Sequence, residues 1–110
     1  MEGFVKGDII IIEFPYSNLR DVKRRPVLIL KIPKGEDIIV AQITGESYET
    51  SVEIPITKEN FKHGELKRES YVRIDKIASI EKYLIKYKAG SLKQEKFNEI
   101  IDKICFFIKN

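Results

Sequence analysis

The chain reads as short apolar runs broken by turn residues, followed by one long apolar stripe at helical spacing. Ile9 to Phe14 holds four consecutive isoleucines, entered through Gly7-Asp8 and closed by Pro15. This β-branched run predicts a strand. Strand side chains alternate between faces, so four isoleucines in succession require burial on both faces or a sharply curved barrel strand. Pro26 to Leu30 is a second strand. Between them the polar stretch Tyr16 to Arg25 reads as a long loop, the kind of segment that carries function in small domains. Lys34 to Asp37 is a turn, and Asp37 to Thr44 is a third strand. Thr50 to Ile56 alternates, with Val52, Ile54 and Ile56 on one side, and Pro55 puts it at a sheet edge or a bulge. Thr57 opens a short helical turn running to Phe61. Glu69 to Asp75 is another strand, with Tyr71 and Arg73 facing away from Val72 and Ile74, and Tyr83 to Ala89 forms a last one.

The C-terminal helix has the strongest periodicity. Phe97, Ile100, Ile101, Ile104, Cys105 and Ile108 fall on one stripe at helical period. Ser91 and Gln94 have the spacing of a capping box. Cys105 lies on the stripe and reads as an inert core thiol. Phe106 lies off its centre, and an exposed aromatic there marks a subunit interface. Many short strands with one terminal helix predict a mainly β protein with helices, an SH3-like small β-barrel with a C-terminal α-helix.

Composition narrows the chemistry. At 110 residues the expectation is one domain, residues 1–110. No apolar run is long enough to span a bilayer, and Met1-Glu2-Gly3-Phe4 does not open a secretory signal, so a cytoplasmic protein is expected. The single cysteine excludes an internal disulfide and speaks against a cysteine-based zinc site. The single histidine, His63, rules out a pair of histidines as acid and base within one chain, and its polar turn reads as surface. The net charge of +3 is compatible with a nucleic-acid partner but does not identify one.

Three stretches together resemble the MazF/PemK family of plasmid-maintenance toxins. GDIIIIEFPYSNLRDVKRRPVLIL, residues 7–30, has Gly-Asp, an apolar strand, an aromatic-Pro corner, a polar loop, Arg-Pro and a second apolar strand. AQIT, residues 41–44, ends the third strand, and SYVRIDKIASIEKYL with GSL and the helix is similar to the family's C-terminal half. The resemblance implies an SH3-like barrel with helices, working as a homodimer that cleaves single-stranded RNA without a metal or other cofactor. It also implies a cognate antitoxin protein that blocks the site. The two family positions assigned to catalysis, the Arg before Pro and the Thr ending the third strand, are Arg25 and Thr44 here.

That assignment is chemically coherent. RNA carries its own nucleophile, the 2′-hydroxyl, so the protein has to orient it and stabilise the charge that builds on phosphorus. A guanidinium is a planar fork of donors fitted to two phosphate oxygens. The residue before a proline is held extended, which fixes how Arg25 leaves the backbone. Thr44 offers a short hydroxyl on a stiff side chain. Arginine is a poor general base, so its role is charge stabilisation, and the acceptor of the 2′-hydroxyl proton is left open. Lys23 and Arg24 are candidates for the RNA backbone. Tyr16 and Asn18 are candidate RNA contacts in the loop, and Phe14 and Tyr16 flank Pro15 as base-stacking or corner-packing aromatics. Glu13 is placed to anchor an arginine, and Asp75 to form a local ion pair.

Two departures from the family stand out. Lys93 occupies the usual position of a Ser or Thr helix cap, a role Ser91 could take, and tryptophan is absent, with Tyr16 in the first loop. Two other readings compete with the ribonuclease: a toxin of the same fold that poisons DNA gyrase through C-terminal aromatics, for which Phe106-Phe107 would be the relevant end, and a non-catalytic RNA-binding barrel. Loss of cleavage on altering Arg25 separates the first reading from both.

Overall fold

A computed structural model describes residues 3–15 and 22–110. Among them, seven strands run β1 (Asp8–Pro15), β2 (Val22–Lys31), β3 (Asp37–Thr44), β4 (Glu53–Ile56), β5 (Phe61–Gly64), β6 (Ser70–Glu81) and β7 (Ile85–Leu92), followed by helix α1 (Gln94–Lys109). Single 3-10 turns at Lys58–Asn60 and Lys82–Leu84 lead into β5 and β7. The strands form one antiparallel sheet in the order β4-β6-β3-β2-β1-β7-β5. It curls into a half-barrel, and α1 packs against β6. The expected mainly β class with one terminal helix therefore stands.

The four isoleucines are buried on both faces. Ile9 joins the core between sheet and helix, with Leu28, Leu30, Ile43, Ile54, Val72, Phe97, Ile100 and Ile104. Ile10 and Ile12 join a second core on the opposite face, with Val27, Ile29, Ile38, Val40 and Ile80. Curvature comes from irregular pairing. The β1–β7 ladder shifts register between Ile9 and Ile10 and again between Ile11 and Ile12, and the β3–β6 ladder shifts between Ala41 and Ile43. Each β1–β7 shift inserts one residue on β7, the β3–β6 shift inserts three on β6, and such insertions bend the strand that carries them.

Gly7-Asp8 has a structural explanation. Gly7 has φ 95°, which favours glycine, and an added Cβ would meet the Phe97 ring at 3.7 Å. Its N–H donates to the Ile29 carbonyl at 2.8 Å, and its carbonyl accepts from Leu92 N–H at 3.0 Å, so one residue ties β1 to β2 and β7. Asp8 is 1% exposed. Its carboxylate accepts from Val5 N–H at 2.9 Å and from the Ser91 hydroxyl at 2.6 Å, and Lys88 Nζ lies 3.4 Å away.

Several sequence expectations are corrected. β2 begins at Val22, not Pro26, so Lys23, Arg24 and Arg25 lie on a strand rather than in the loop. Their polarity concealed this, but backbone pairing with Phe14, Glu13 and Ile12 is indifferent to side-chain charge. β6 runs on to Glu81 because β3 pairs with it along that whole length. The strand expected from Thr50 starts at Glu53, the last strand spans Ile85–Leu92 rather than Tyr83–Ala89, and a further short strand, β5, forms an edge of the sheet. Ser91 does not cap α1. Lys93 holds the cap position with no side-chain bond, and Ser91 is buried on Asp8. Cys105 is exposed rather than in the core, because Phe97, Ile100 and Ile104 carry the buried stripe and every residue after Ile104 is exposed. Pro55 does lie on an edge strand, β4, and Thr57 does precede the 3-10 turn.

Replacing Asp8 with Ala leaves the Val5 N–H and Ser91 hydroxyl without their acceptor inside the fold. Urea unfolding of Asp8→Ala is expected to show a loss of about 2 to 4 kcal/mol. A loss under about 0.5 kcal/mol would mean that water replaces the carboxylate at no cost.

Candidate functional site

Strand pairing determines what meets at the site. The β2–β3 ladder pairs Val27 with Gln42, Leu28 with Ala41 and Ile29 with Val40. Continued two residues past Val27, this register sets Arg25 opposite Thr44. The β2–β3 ladder stops at Pro26, which has no N–H to donate; β2 runs on toward Val22 against β1 alone, and the parted strands wall a cleft. The cleft has a volume of about 650 Å³. Arg24, Arg25 and Thr44 line it together with Gly45, Glu46 and Tyr48 from the β3–β4 connection, Glu65 to Arg68 from the β5–β6 connection, and Tyr87 and Lys88 of β7. Five basic side chains (Arg24, Arg25, Lys67, Arg68, Lys88) stand against two acidic ones (Glu46, Glu65) in this lining. Clefts lined by one sign of charge concentrate ligands of the other.

The basic groups differ in how they are held. Arg24 lies directly across from Glu13, and its Nε reaches Glu13 Oε2 at 3.2 Å while Lys86 Nζ reaches Oε1 at 3.3 Å. The Arg24 hydrogen bond, with help from Lys86, holds the Glu13 carboxyl below its ordinary range. Glu13 therefore anchors an arginine, as its position in the sequence predicts. Thr44 is half-buried, and its hydroxyl accepts from Glu46 N–H at 3.2 Å. The oxygen is thus fixed in a local turn, and its proton can be given to the Glu46 carbonyl at 3.3 Å or to an incoming acceptor. Arg68 covers the next residue: a Cβ on Gly45 would fall 2.5 Å from its Nε. The guanidinium therefore packs directly over the Gly45 backbone beside Thr44.

Of the site residues expected from sequence, Arg25, Thr44 and Arg24 come together in this cleft. Lys23 is exposed on β2, paired with Phe14, and is not among the lining residues. Tyr16 and Asn18, and the side chain of Phe14, lie outside the described residues. Phe106 is away from the cleft, 70% exposed at the end of α1 beside Phe107 and Ile108. His63 is exposed on β5, and Asp75 pairs with Arg73 at 2.8 Å. Sequence reasoning missed Arg68, Lys67, Lys88 and Tyr48. The one local signal was Gly45, a glycine directly after a strand-end threonine, which leaves room for a neighbour to approach. Among the described residues no three His, Cys, Asp or Glu side chains gather to hold a metal ion. A smaller pocket of about 310 Å³, with Ile56 and Phe61 in its lining, shares Leu66 to Arg68 with the cleft.

Fold and cleft together define a small curled-sheet protein with a cationic mouth at the strand ends, suited to a negatively charged ligand. The chain belongs to the PemK-like, MazF-like toxin family of type II toxin–antitoxin systems, whose model matches residues 5–108. Among solved structures it is similar to the Mycobacterium tuberculosis toxin MazF-mt6, at 25% identity and a TM-score of 0.69, covering 88% of this chain and 91% of that one. It also has the fold of an endoribonuclease in complex with its cognate antitoxin from a mycobacterial species, at 14% identity and a TM-score of 0.76, covering 97% and 96%. A search among curated proteins returns no match.

Three carboxylates that shape the cleft surroundings are held below their ordinary ranges. They are Glu13 by Arg24, Glu53 by the Ser47 hydroxyl and the Tyr48 and Thr50 N–H groups, and Asp75 by Arg73. A depressed carboxyl binds fewer protons folded than unfolded, so its contribution is present above the ordinary value and lost as pH falls. Stability is expected to drop as pH goes below 4.5 for the glutamates and 3.8 for Asp75. Urea titrations across that range should show a shallower acid loss for Glu53→Gln. An unchanged slope would remove Glu53 from the account.

Proposed function

We propose that this chain is the endoribonuclease toxin of its pair, cleaving single-stranded RNA without a metal ion by attack of the RNA's own 2′-hydroxyl. The carrying observation is the convergence of Arg25 and Thr44, from neighbouring strands β2 and β3, on one cationic cleft. In this reading Arg25 binds two oxygens of the scissile phosphate and offsets the charge that grows on them. The Thr44 hydroxyl, fixed by Glu46 N–H, donates to a phosphate oxygen. Arg68 and Lys67 hold the flanking backbone without reading sequence, and Arg24, on its Glu13 anchor, extends that track. The 2′-oxygen bonds to phosphorus as the bond to the 5′-oxygen breaks, which leaves a 2′,3′-cyclic phosphate and a 5′-hydroxyl. Glu46 and Glu65 are the carboxylates of the described lining on hand to accept the 2′-proton.

The working form is a homodimer in the cytoplasm, checked by a cognate antitoxin. One of the similar structures is an endoribonuclease bound to such an antitoxin, which supports that partner. Among the described residues no helix is long and apolar enough to cross a membrane. Phe106, Phe107 and Ile108 give α1 an exposed apolar end suited to a second copy.

Arg25→Ala is expected to lower cleavage of single-stranded RNA at least about a hundredfold, at an unchanged melting temperature, with wild-type activity persisting in EDTA. Wild-type cleavage abolished by EDTA would reject the metal-free route. An Arg25→Ala protein that still poisons cells without cutting RNA would favour gyrase as the target. Separately, Phe106→Asp should shift sedimentation from dimer toward monomer, and an unchanged dimer would reject that interface.

A further inference from the structure

The β3–β4 connection is unusually well tied for a segment outside the sheet. Its organiser is Glu53, whose carboxylate accepts from the Ser47 hydroxyl at 2.5 Å, from Tyr48 N–H at 3.0 Å and from Thr50 N–H at 3.4 Å. Ser47 Oγ in turn accepts from Glu49 N–H at 3.1 Å. Glu49 sits at φ 54°, in the left-handed region that a glutamate seldom adopts, and the surrounding hydrogen bonds hold it there. This arrangement presents Tyr48. The Arg73 guanidinium lies over its ring, 5.7 Å from the centroid. Arg73 is itself locked by two hydrogen bonds to Asp75, at 2.9 and 2.8 Å, with its side chain only 15% exposed. Yet Tyr48 is 58% exposed and lines the cleft that holds Arg25 and Thr44.

A lone exposed tyrosine is ordinary. A tyrosine backed by a locked guanidinium, on a strained and anchored loop, beside a cationic cleft, is a preformed flat surface whose ordering cost falls on folding rather than on binding. We propose that Tyr48 is a base-stacking platform: it takes the face of an unpaired nucleobase next to the phosphate held at Arg25 and Thr44. The inference rests on the ribonuclease reading above. It adds that single-stranded RNA is held by ring stacking as well as by charge, because bases in a duplex keep their faces covered by their neighbours. Arg73 and Asp75 are positioning residues in this arrangement.

The test uses RNA carrying a 2′-deoxynucleotide at the cleavage position mapped with wild type, so that binding is read without scission. Tyr48→Ala and Tyr48→Leu should each weaken binding about tenfold to a hundredfold, and Tyr48→Phe should stay within about twofold of wild type. Leucine keeps apolar bulk without a π face, so it also answers for any misfolding of the alanine variant. With cleavable RNA the same loss should fall in KM, with kcat little changed. One abasic nucleotide near the cleavage position should reproduce the loss in wild type and add nothing further in Tyr48→Ala. Equal binding by wild type, Tyr48→Ala and Tyr48→Leu on RNA that wild type cuts would overturn the platform alone. A Phe variant as weak as Ala would also overturn it, by assigning the effect to the hydroxyl. Failure of wild type to bind any single-stranded RNA would instead bring down the ribonuclease reading, and the platform with it.

Discussion

The two-sided pairing of β2 is the constraint on which the rest depends. One edge is locked to β1 through Ile9↔Leu28 to Pro15↔Val22, the other to β3 through Val27↔Gln42. Side chains alternate, so a slip of one residue would exchange Arg25 with its neighbours across the sheet and turn Val27 and Ile29 out of their core. The burial of apolar residues on both faces forbids that slip. The cleft's composition is thus enforced by packing several residues away, in the same strand that delivers the arginine.

Pro26 joins the two roles of this strand. It ends the β2–β3 ladder where the cleft begins, and it holds Arg25 extended. Gly45 performs a matching service on β3. Its missing side chain lets Arg68 lie against the backbone next to Thr44, which brings a guanidinium from a distant connection to the strand end. The site is therefore made by residues that lack something, an N–H in one case and a Cβ in the other.

Carboxylates around the sheet hold basic groups in place. Glu13 holds Arg24 and Lys86, Asp75 holds Arg73, and the buried Asp8 faces Lys88 and Ser91. Each carboxylate fixes where a basic or polar group sits, and two of those groups, Arg24 and Lys88, line the cleft. Exposed ion pairs contribute little to stability, and their larger effect here is to orient donors before a ligand arrives.

The mainly β class and the single terminal helix were legible in the sequence, because apolar periodicity reports local burial. The sequence placed β3 from Asp37 to Thr44, the helix stripe through Phe97, Ile100 and Ile104, and the edge character of the Pro55 segment. Its ordered motifs also marked Arg25 and Thr44 as a pair. It misplaced the start of β2 and the burial of Cys105, because a polar strand looks like a loop and a helix stripe does not say where its support ends. That Arg68 and Tyr48 reach the cleft, and that Ser91 serves Asp8 rather than the helix, emerged from the folded chain alone. Such neighbours lie tens of residues apart along the chain, and the curl of the sheet, which no local pattern encodes, is what brings them into contact.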